Sequence, residues 1–509
     1  MAVGLVLAAG AAGTAAGLPV ASAAETPSPS TAGEIDDQSV AKAIDRLDAQ
    51  VKDVMDRTGI PGVAVAVVHG DDVVYLKGFG VRSTEQSGRI GPDTVFQIAS
   101  VSKPVSATVL AQVLGAAGWD KPLTGIGLKD PWVSEHVTAA DLFSHRSGLP
   151  DHAGDMLEDL GFDQSYILSH LKYEPLSPFR ASYAYTNFGL TAAAEAVARD
   201  KGASWAELAA DTLYKPAGMT RTSNLFSDYE HAADRALTHV KQSDGSWKPQ
   251  FVRQPDLQSP AGGVSSTARD MARFVRLQLG GGELDGKRII NAEGLATTYL
   301  PHAIAQPPAT PDASPGFYGL GWNVRYDDQG RLRLSHSGAF ELGTNSSVVM
   351  LPAEKLGVVV LTNAAPIGAA DTVAINFLDT VEHGAPTRDW LPVVAKAYDE
   401  QLNTGKSKTD YGKPPADAKP ARTDDAYTGT YDNPYYGRLT VAKTADGGLT
   451  LKLGPKAMDF PLTHYDGDVF SLRTTGEMAV GLTGVTFKND TVRVEYLDYS
   501  GLGTFTRAS

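Results

Sequence analysis

Two runs of apolar, β-branched residues lie far apart in the chain: Gly62–His69 near its start and Gly357–Thr362 well beyond its middle. Each is short, almost unbroken by polar residues and flanked by Gly, Pro or Asn, which reads as a buried strand. A Gly-Asp-Asp turn at 70–72 leads from the first run into a second strand at Val73–Gly80, and strand-like runs at Leu332–His336 and Thr344–Met350 precede the last. The intervening sequence is helical in character, as is the segment before it. Val40, Ile44, Leu47, Val51 and Val54 recur at helical spacing, and Thr138 with Asp141 forms a capping-box-like start. Strands at both ends with helices between predict one sheet assembled from distant segments, an α/β (α+β) layout.

At 509 residues the chain is too long for one ordinary core. Composition changes between about Asn403 and Asp425, where Lys-Ser-Lys, Lys-Pro-Pro and Lys-Pro-Ala-Arg make a polar, Pro-rich stretch. Beyond it come short alternating runs at Leu439–Val441, Leu449–Leu453, Val469–Leu472, Val485–Phe487 and Val492–Tyr496, separated by Gly, Asn and Asp. They predict a small antiparallel barrel or sandwich. The expected division is a first domain over 38–397, a linker over 398–425 and an all-β domain over 426–509. Such a linker predicts a second domain that can be removed without breaking many backbone pairings.

The first 24 residues carry no charge and are rich in Ala, Val, Leu and Gly, with Ala21-Ser-Ala23 near the end. This is the pattern of a secretory signal peptide over 1–24, although a basic n-region is missing. A Pro/Ser/Thr-rich lead over 25–37 is expected to be disordered. Export to the extracellular space follows as an expectation, with no membrane association after cleavage. The net charge of −14 argues against nucleic acid, whose phosphates require clustered Lys and Arg. The absence of cysteine removes disulfides, thiolate nucleophiles and Cys-ligated zinc.

Three short motifs then occur in order: Ser100-Val-Ser-Lys103, Tyr185-Thr-Asn187 and His336-Ser-Gly338. Each has a decoy elsewhere, at Ser169–Lys172, Tyr431–Asn433 and His152–Gly154. Context separates them. Ser100 follows the strand-like Val95, Phe96 and Ile98 and opens an apolar helical run, so that Lys103 shares its face at i+3. Ser169–Lys172 runs into Tyr-Glu-Pro, which ends a helix. A serine hydroxyl needs a base, and a desolvated Lys103 amine can serve. Tyr185 offers a second basic or acidic oxygen, its phenolate favoured if cations lie near. Asn187 can orient Lys103 or accept a substrate N–H. Gly338 would let substrate approach the backbone, and the N–H groups of Ser100 and Ala339 could face a developing oxyanion. Taken singly, these residues could equally be an N-cap serine, a solvated lysine, a core tyrosine and a strand-end histidine.

The sequence from Phe96 to Lys103, Tyr185-Thr-Asn187 and the His336-Ser-Gly338 position resemble the serine β-lactamase-like and penicillin-binding hydrolases. The likeness is to the class C, DD-peptidase, D-aminopeptidase and family-VIII esterase branch. Leu142–Pro150, Pro216–Met219, Pro260–Gly263, Tyr318–Trp322 and Val359–Asn363 extend it over about Val40 to Leu391. The resemblance implies attack by Ser100, proton transfer by Lys103 and Tyr185, and an acyl-enzyme. Asn187 and His336 would position substrate and tune Tyr185, with Ser337, Gly338 and Ala339 beside them. It implies no metal and no cofactor, and a small peptide or ester as substrate. His336 stands where many relatives carry the lysine of Lys-Thr-Gly, which makes efficient β-lactam hydrolysis a weaker expectation than slow acylation. The C-terminal segment, from Tyr427-Thr-Gly-Thr-Tyr431 to Arg507, resembles the lipocalin-like barrel that follows such domains. There Arg507 could meet a peptide carboxylate. The leading expectation is a secreted serine hydrolase of peptide amides, of the D-Ala-D-Ala carboxypeptidase or D-aminopeptidase type, or of carboxylic esters. The alternatives are a thioesterase-like peptide cyclase, and a weak β-lactamase or β-lactam-binding protein.

Overall fold

The computed structural model describes residues 35–327 and 329–508. The expected signal peptide over 1–24 and most of the expected lead lie outside the described residues. The last residues of that lead are part of the fold. Ile35 is buried, and Asp36 caps helix α1 (Asp37–Thr58) by accepting from the Ser39 backbone N–H at 2.7 Å.

The first domain is built on one antiparallel sheet of eight strands. Strands β1 (Gly62–His69) and β2 (Asp72–Gly80) come from its start. The other six are β3 (Ala303–Gln306), β4 (Gly316–Tyr318), β5 (Asn323–Tyr326), β6 (Leu332–Phe340), β7 (Thr344–Leu351) and β8 (Leu356–Thr362). The order across the sheet is β2-β1-β8-β7-β6-β5-β4-β3, so β1 pairs with β8 along Val63↔Thr362 to His69↔Leu356. The two apolar runs that opened the sequence argument are therefore neighbours.

Both faces of the sheet centre are covered, which is why those runs lack polar residues. Val63, Val65, Val67, Val358 and Val360 pack on one face, beneath α1 and a second helix, Ala369–His383. Ala64, Ala66, Val68, Val359 and Leu361 point the other way into the main core. That core holds helix α2 (Ser102–Gly118), whose residues from Ser102 to Ala111 are all buried. A helix that is apolar all round belongs inside a domain. Helix α3 (Asn187–Asp200) lies in the same core.

The all-β domain is a closed barrel of eight antiparallel strands from Gly429 to Arg507, sealed where Tyr431 pairs with Arg507. Closure leaves no edge strand. Three strands lie outside the alternating runs, the short Thr504–Arg507 among them. Gly429–Asn433 ends in Asp and Asn, and Met458–Asp466 carries Pro461, His464 and three polar neighbours. The barrel does not hang on its linker. Tyr435 Oη accepts from the Gly154 N–H at 3.1 Å, Tyr166 Oη donates to the Tyr435 carbonyl at 3.1 Å, and the Met478 N–H donates to Asp159 at 2.7 Å. Leu160 of the first domain faces Leu451, Leu453 and Phe460 of the barrel. The two cores form one continuous cluster, so the expected easy separability does not describe this interface.

Candidate active site

The nucleophile's turn is held from several sides. Phe96 and Gln97 pair with Ser266 and Ser265, and the Ile98 carbonyl accepts from Ser346 Oγ of β7 at 2.7 Å. Ala99 then sits at φ 45°, a left-handed conformation that costs a non-glycine residue about 1 kcal/mol or more. Ser102 Oγ donates to the Ala99 carbonyl at 2.6 Å and accepts from the Val264 N–H at 2.9 Å. The strained turn puts Ser100 at the mouth of α2, and the helix places Lys103 on the same side.

Lys103 Nζ is 3.1 Å from Ser100 Oγ, 2.8 Å from Asn187 Oδ1 and 3.0 Å from the Ala261 carbonyl oxygen. Burial holds its amine well below the usual lysine range, against the opposing pull of Asp155. A neutral amine has two N–H bonds and one lone pair. The two carbonyl oxygens can only accept, so they take both N–H bonds and leave the lone pair facing the Ser100 hydroxyl. That is the geometry of a general base.

Tyr185 lies across from the lysine, with Nζ 4.5 Å from its ring centroid. Burial raises the phenol well above its ordinary range, the Ser100 hydroxyl opposes this, and Asp155 and Asp151 add to it. Of the two roles open to this oxygen, the environment selects the protonated one: a phenol that donates. Tyr185 is flanked by the rings of His145 at 4.5 Å and His336 at 6.4 Å.

His336 is buried on β6, and its Nδ1–H donates to the Ser337 carbonyl at 2.8 Å. Its Nε2 therefore accepts from Tyr318 Oη, 2.9 Å away. The hydrogen bond of this nitrogen thus goes to Tyr318, and His336 meets Tyr185 ring to ring. Burial above all pulls the imidazole down to about 3, so it is neutral at physiological pH. Strand alternation sends Ser337 to the opposite face, where Oγ donates to buried Asp371. Ala339 packs there too, against Val394 and Tyr398. Neither side chain reaches the serine. Gly338 serves a different approach from the expected one. A β-carbon there would overlap the Ile98 carbonyl and lie 3.0 Å from the Ser100 nitrogen, so the glycine admits the nucleophile's own turn. Pairing between β5 and β6 ends at Asn323↔Ser335, beyond which β6 runs beside the serine.

Arg507 is placed elsewhere. Its guanidinium donates to the Thr428 and Ala426 carbonyls and to Tyr431 Oη, each within 2.8 Å, and stacks over the Tyr431 ring. Those bonds tie Arg507 into the barrel seam with three of its five N–H groups. The decoy serine, Ser169, is exposed and donates to the Tyr166 carbonyl.

Several site residues carried no motif of their own. Ala261 contributes only a carbonyl, and Tyr318 and His145 lay inside segments valued for likeness alone. Asp155 accepts from Asn187 Nδ2 at 2.9 Å and from His152 Nδ1 at 2.7 Å, although His152 had looked like a mere decoy. Among the described residues, no group of three or more His, Asp or Glu could hold a metal ion.

The sequence profile of the family described as Beta-lactamase matches residues 47–379, and that of a domain of unknown function, DUF3471, matches 413–500. The unguisins hydrolase ungD' of Aspergillus campestris is 24% identical over 77% of this chain and 76% of its own length. Penicillin-binding protein 4 of Amycolatopsis lactamdurans is 27% identical over 60% of this chain and 81% of its own. Among solved structures, the octameric penicillin-binding protein homologue from Pyrococcus abyssi superposes with a TM-score of 0.58 at 20% identity. It covers 89% of this chain and 98% of that one. The class C β-lactamase from Rhodobacter sphaeroides gives 0.54 at 22% identity, over 66% and 99%. With the profile spanning most of the first domain, the chain belongs to the Beta-lactamase family of serine hydrolases.

Proposed function

We propose that the protein is a secreted hydrolase that forms an acyl-enzyme on Ser100 and acts on peptide amides, including those with D-amino acids, or on carboxylic esters. The observation that carries this reading is the buried Lys103 amine, whose Nζ lies within hydrogen-bond distance of Ser100 Oγ, Asn187 Oδ1 and the Ala261 carbonyl. Lys103 takes the Ser100 proton as the hydroxyl attacks a carbonyl carbon, and Tyr185 donates a proton to the leaving nitrogen or oxygen. The N–H groups of Ser100 and Ala339 are the proposed donors to the oxyanion. Water then releases the acid, and no metal or cofactor takes part. The secretory reading rests on the sequence from Met1 to Ala24 alone.

Hydrolysis is favoured by the two relatives named as unguisins hydrolases, whose likeness extends over most of this chain. Slow acylation by β-lactams is a second reading, supported by the penicillin-binding relative. The neutral His336 counts against rapid turnover, because a β-lactam carboxylate would find no cation there. A panel of p-nitrophenyl esters, D- and L-aminoacyl amides, D-Ala-D-Ala peptides and nitrocefin tests the proposal. Turnover of amides or esters supports it. Labelling by nitrocefin with no turnover of any amide or ester contradicts it.

A further inference from the structure

The amide of Asn187 is nearly symmetric in shape, yet the base needs one particular end of it. Only Oδ1 toward Lys103 draws off an amine N–H. Were the amide turned over, Nδ2 would donate into the lysine's lone pair and compete with the Ser100 hydroxyl for it. Something must fix which end faces the amine. Thr186, the residue before α3, offers no side-chain cap to that helix, and the bond to Nδ2 comes from another segment. Asp155 Oδ2 lies 2.9 Å from Asn187 Nδ2. A carboxylate oxygen has no hydrogen to give, so it admits the NH₂ end of the amide and rejects the oxygen end.

We propose that Asp155 is a positioning residue: it locks the orientation of the Asn187 amide and thereby points the lone pair of Lys103 at Ser100. The proposal rests on the reading of Lys103 as the base.

The surroundings hold the carboxylate in place. It is 3% exposed, and the same Oδ2 accepts from His152 Nδ1 at 2.7 Å, so two donors fix one oxygen. The strap that carries it is tied to the catalytic tyrosine, because the His152 N–H donates to the Tyr185 carbonyl at 2.8 Å. The Asp155 N–H donates back to the His152 carbonyl at 3.0 Å. The barrel braces both ends: Tyr435 Oη accepts from the Gly154 N–H at 3.1 Å, and Tyr499 Oη donates to the His152 carbonyl at 3.3 Å. Base, acid and barrel thus meet on four consecutive residues, 152–155.

The test is a mutant cycle in the full-length protein, with a p-nitrophenyl ester as substrate and kcat and KM measured separately. Asp155→Ala is expected to lower kcat about ten- to hundredfold while KM stays within about threefold, since the loss falls on base alignment. Asp155→Asn keeps the shape and one acceptor, and is expected to lose only about three- to tenfold. In an Asn187→Ala background, either change should add less than about twofold, because a residue acting through Asn187 has nothing left to act on. Losses that multiply across the cycle, or a wild-type kcat in Asp155→Asn, would overturn the inference. If Asp155→Ala does not fold, the isosteric Asp155→Asn carries the cycle alone. Lys103→Ala is run beside these: substantial activity in that variant overturns the base assignment itself, whereas an inactive Lys103→Ala with multiplying Asp155 and Asn187 losses overturns only the lock.

Discussion

Replacing Gly338 by alanine tests whether the nucleophile's turn is set by its contact with β6. Gly338 does not have a positive φ, so the backbone itself would accept alanine, and the cost must come from space. An added β-carbon would sit inside contact distance of the Ile98 carbonyl oxygen and Ser346 Oγ, and 3.0 Å from the Ser100 nitrogen. Two of these three neighbours are backbone atoms, and Ser346 Oγ is itself bonded to the Ile98 carbonyl. To regain an ordinary contact of about 3.5 Å, the turn and the strand must part by roughly 1 Å. Overpacking of this kind costs about 1–3 kcal/mol of stability. A displacement of about 1 Å at a reacting atom costs about a hundredfold in rate. Gly338→Ala should therefore fold with a lowered thermal midpoint and lose about two orders of magnitude in kcat on a small ester. KM should change little, since no contact to the ester is removed. Full kcat in a stable Gly338→Ala protein would show that the turn does not depend on that contact.

The pH profile follows from the two proton carriers. Lys103 is held well below the lysine range, chiefly by burial, so kcat/KM should fall toward acid as the amine takes a proton. Tyr185 is held well above its ordinary range, so no alkaline decline from its ionisation should appear below about pH 10; a bell centred near neutrality would contradict the assignment. His336 has a folded value of about 3 against an ordinary 6.5, so the unfolded chain binds more protons between those limits. Its contribution is complete above pH 6.5 and is lost as pH falls toward 3. Relative to His336→Gln, the wild type should lose about 1.4 kcal/mol per pH unit in that window by urea denaturation. Parallel stability curves would mean that the imidazole is protonated in the fold. Ending the chain at Asn403 strips the buried Gly154 N–H of Tyr435 and uncovers Leu160. The shortened protein should lose ester activity or solubility, and a soluble, fully active product would make the barrel dispensable.

The first domain was legible because its sheet centre is buried on both faces. Val63–Val68 and Val358–Leu361 read as strands from their monotony alone. The strands over Ala303–Gln306 and Asn323–Tyr326 were not singled out, because they are short and partly exposed and carry polar residues. The site divided in the same way. Ser100, Lys103, Tyr185 and Asn187 share fixed spacings on helix and extended segments, and the fold brings these four together. Ser337 and Arg507 were drawn in by adjacency or by charge. Yet a strand turns alternate side chains away, and an arginine on a barrel seam finds carbonyls before it finds substrate. Asp155 and His152 could not be found from spacing, since their role depends on a strap folded beside α3, far along the chain.

The central claim is that Ser100 becomes acylated with Lys103 as its base. It is tested most directly by intact-mass and peptide mapping of the full-length protein after a short exposure to a fluorophosphonate or a slow ester. The account predicts one adduct per chain, on the peptide containing Ser100, and almost none in Ser100→Ala or Lys103→Ala. An adduct on Ser169 or another serine, or an undiminished yield in Lys103→Ala, would contradict it.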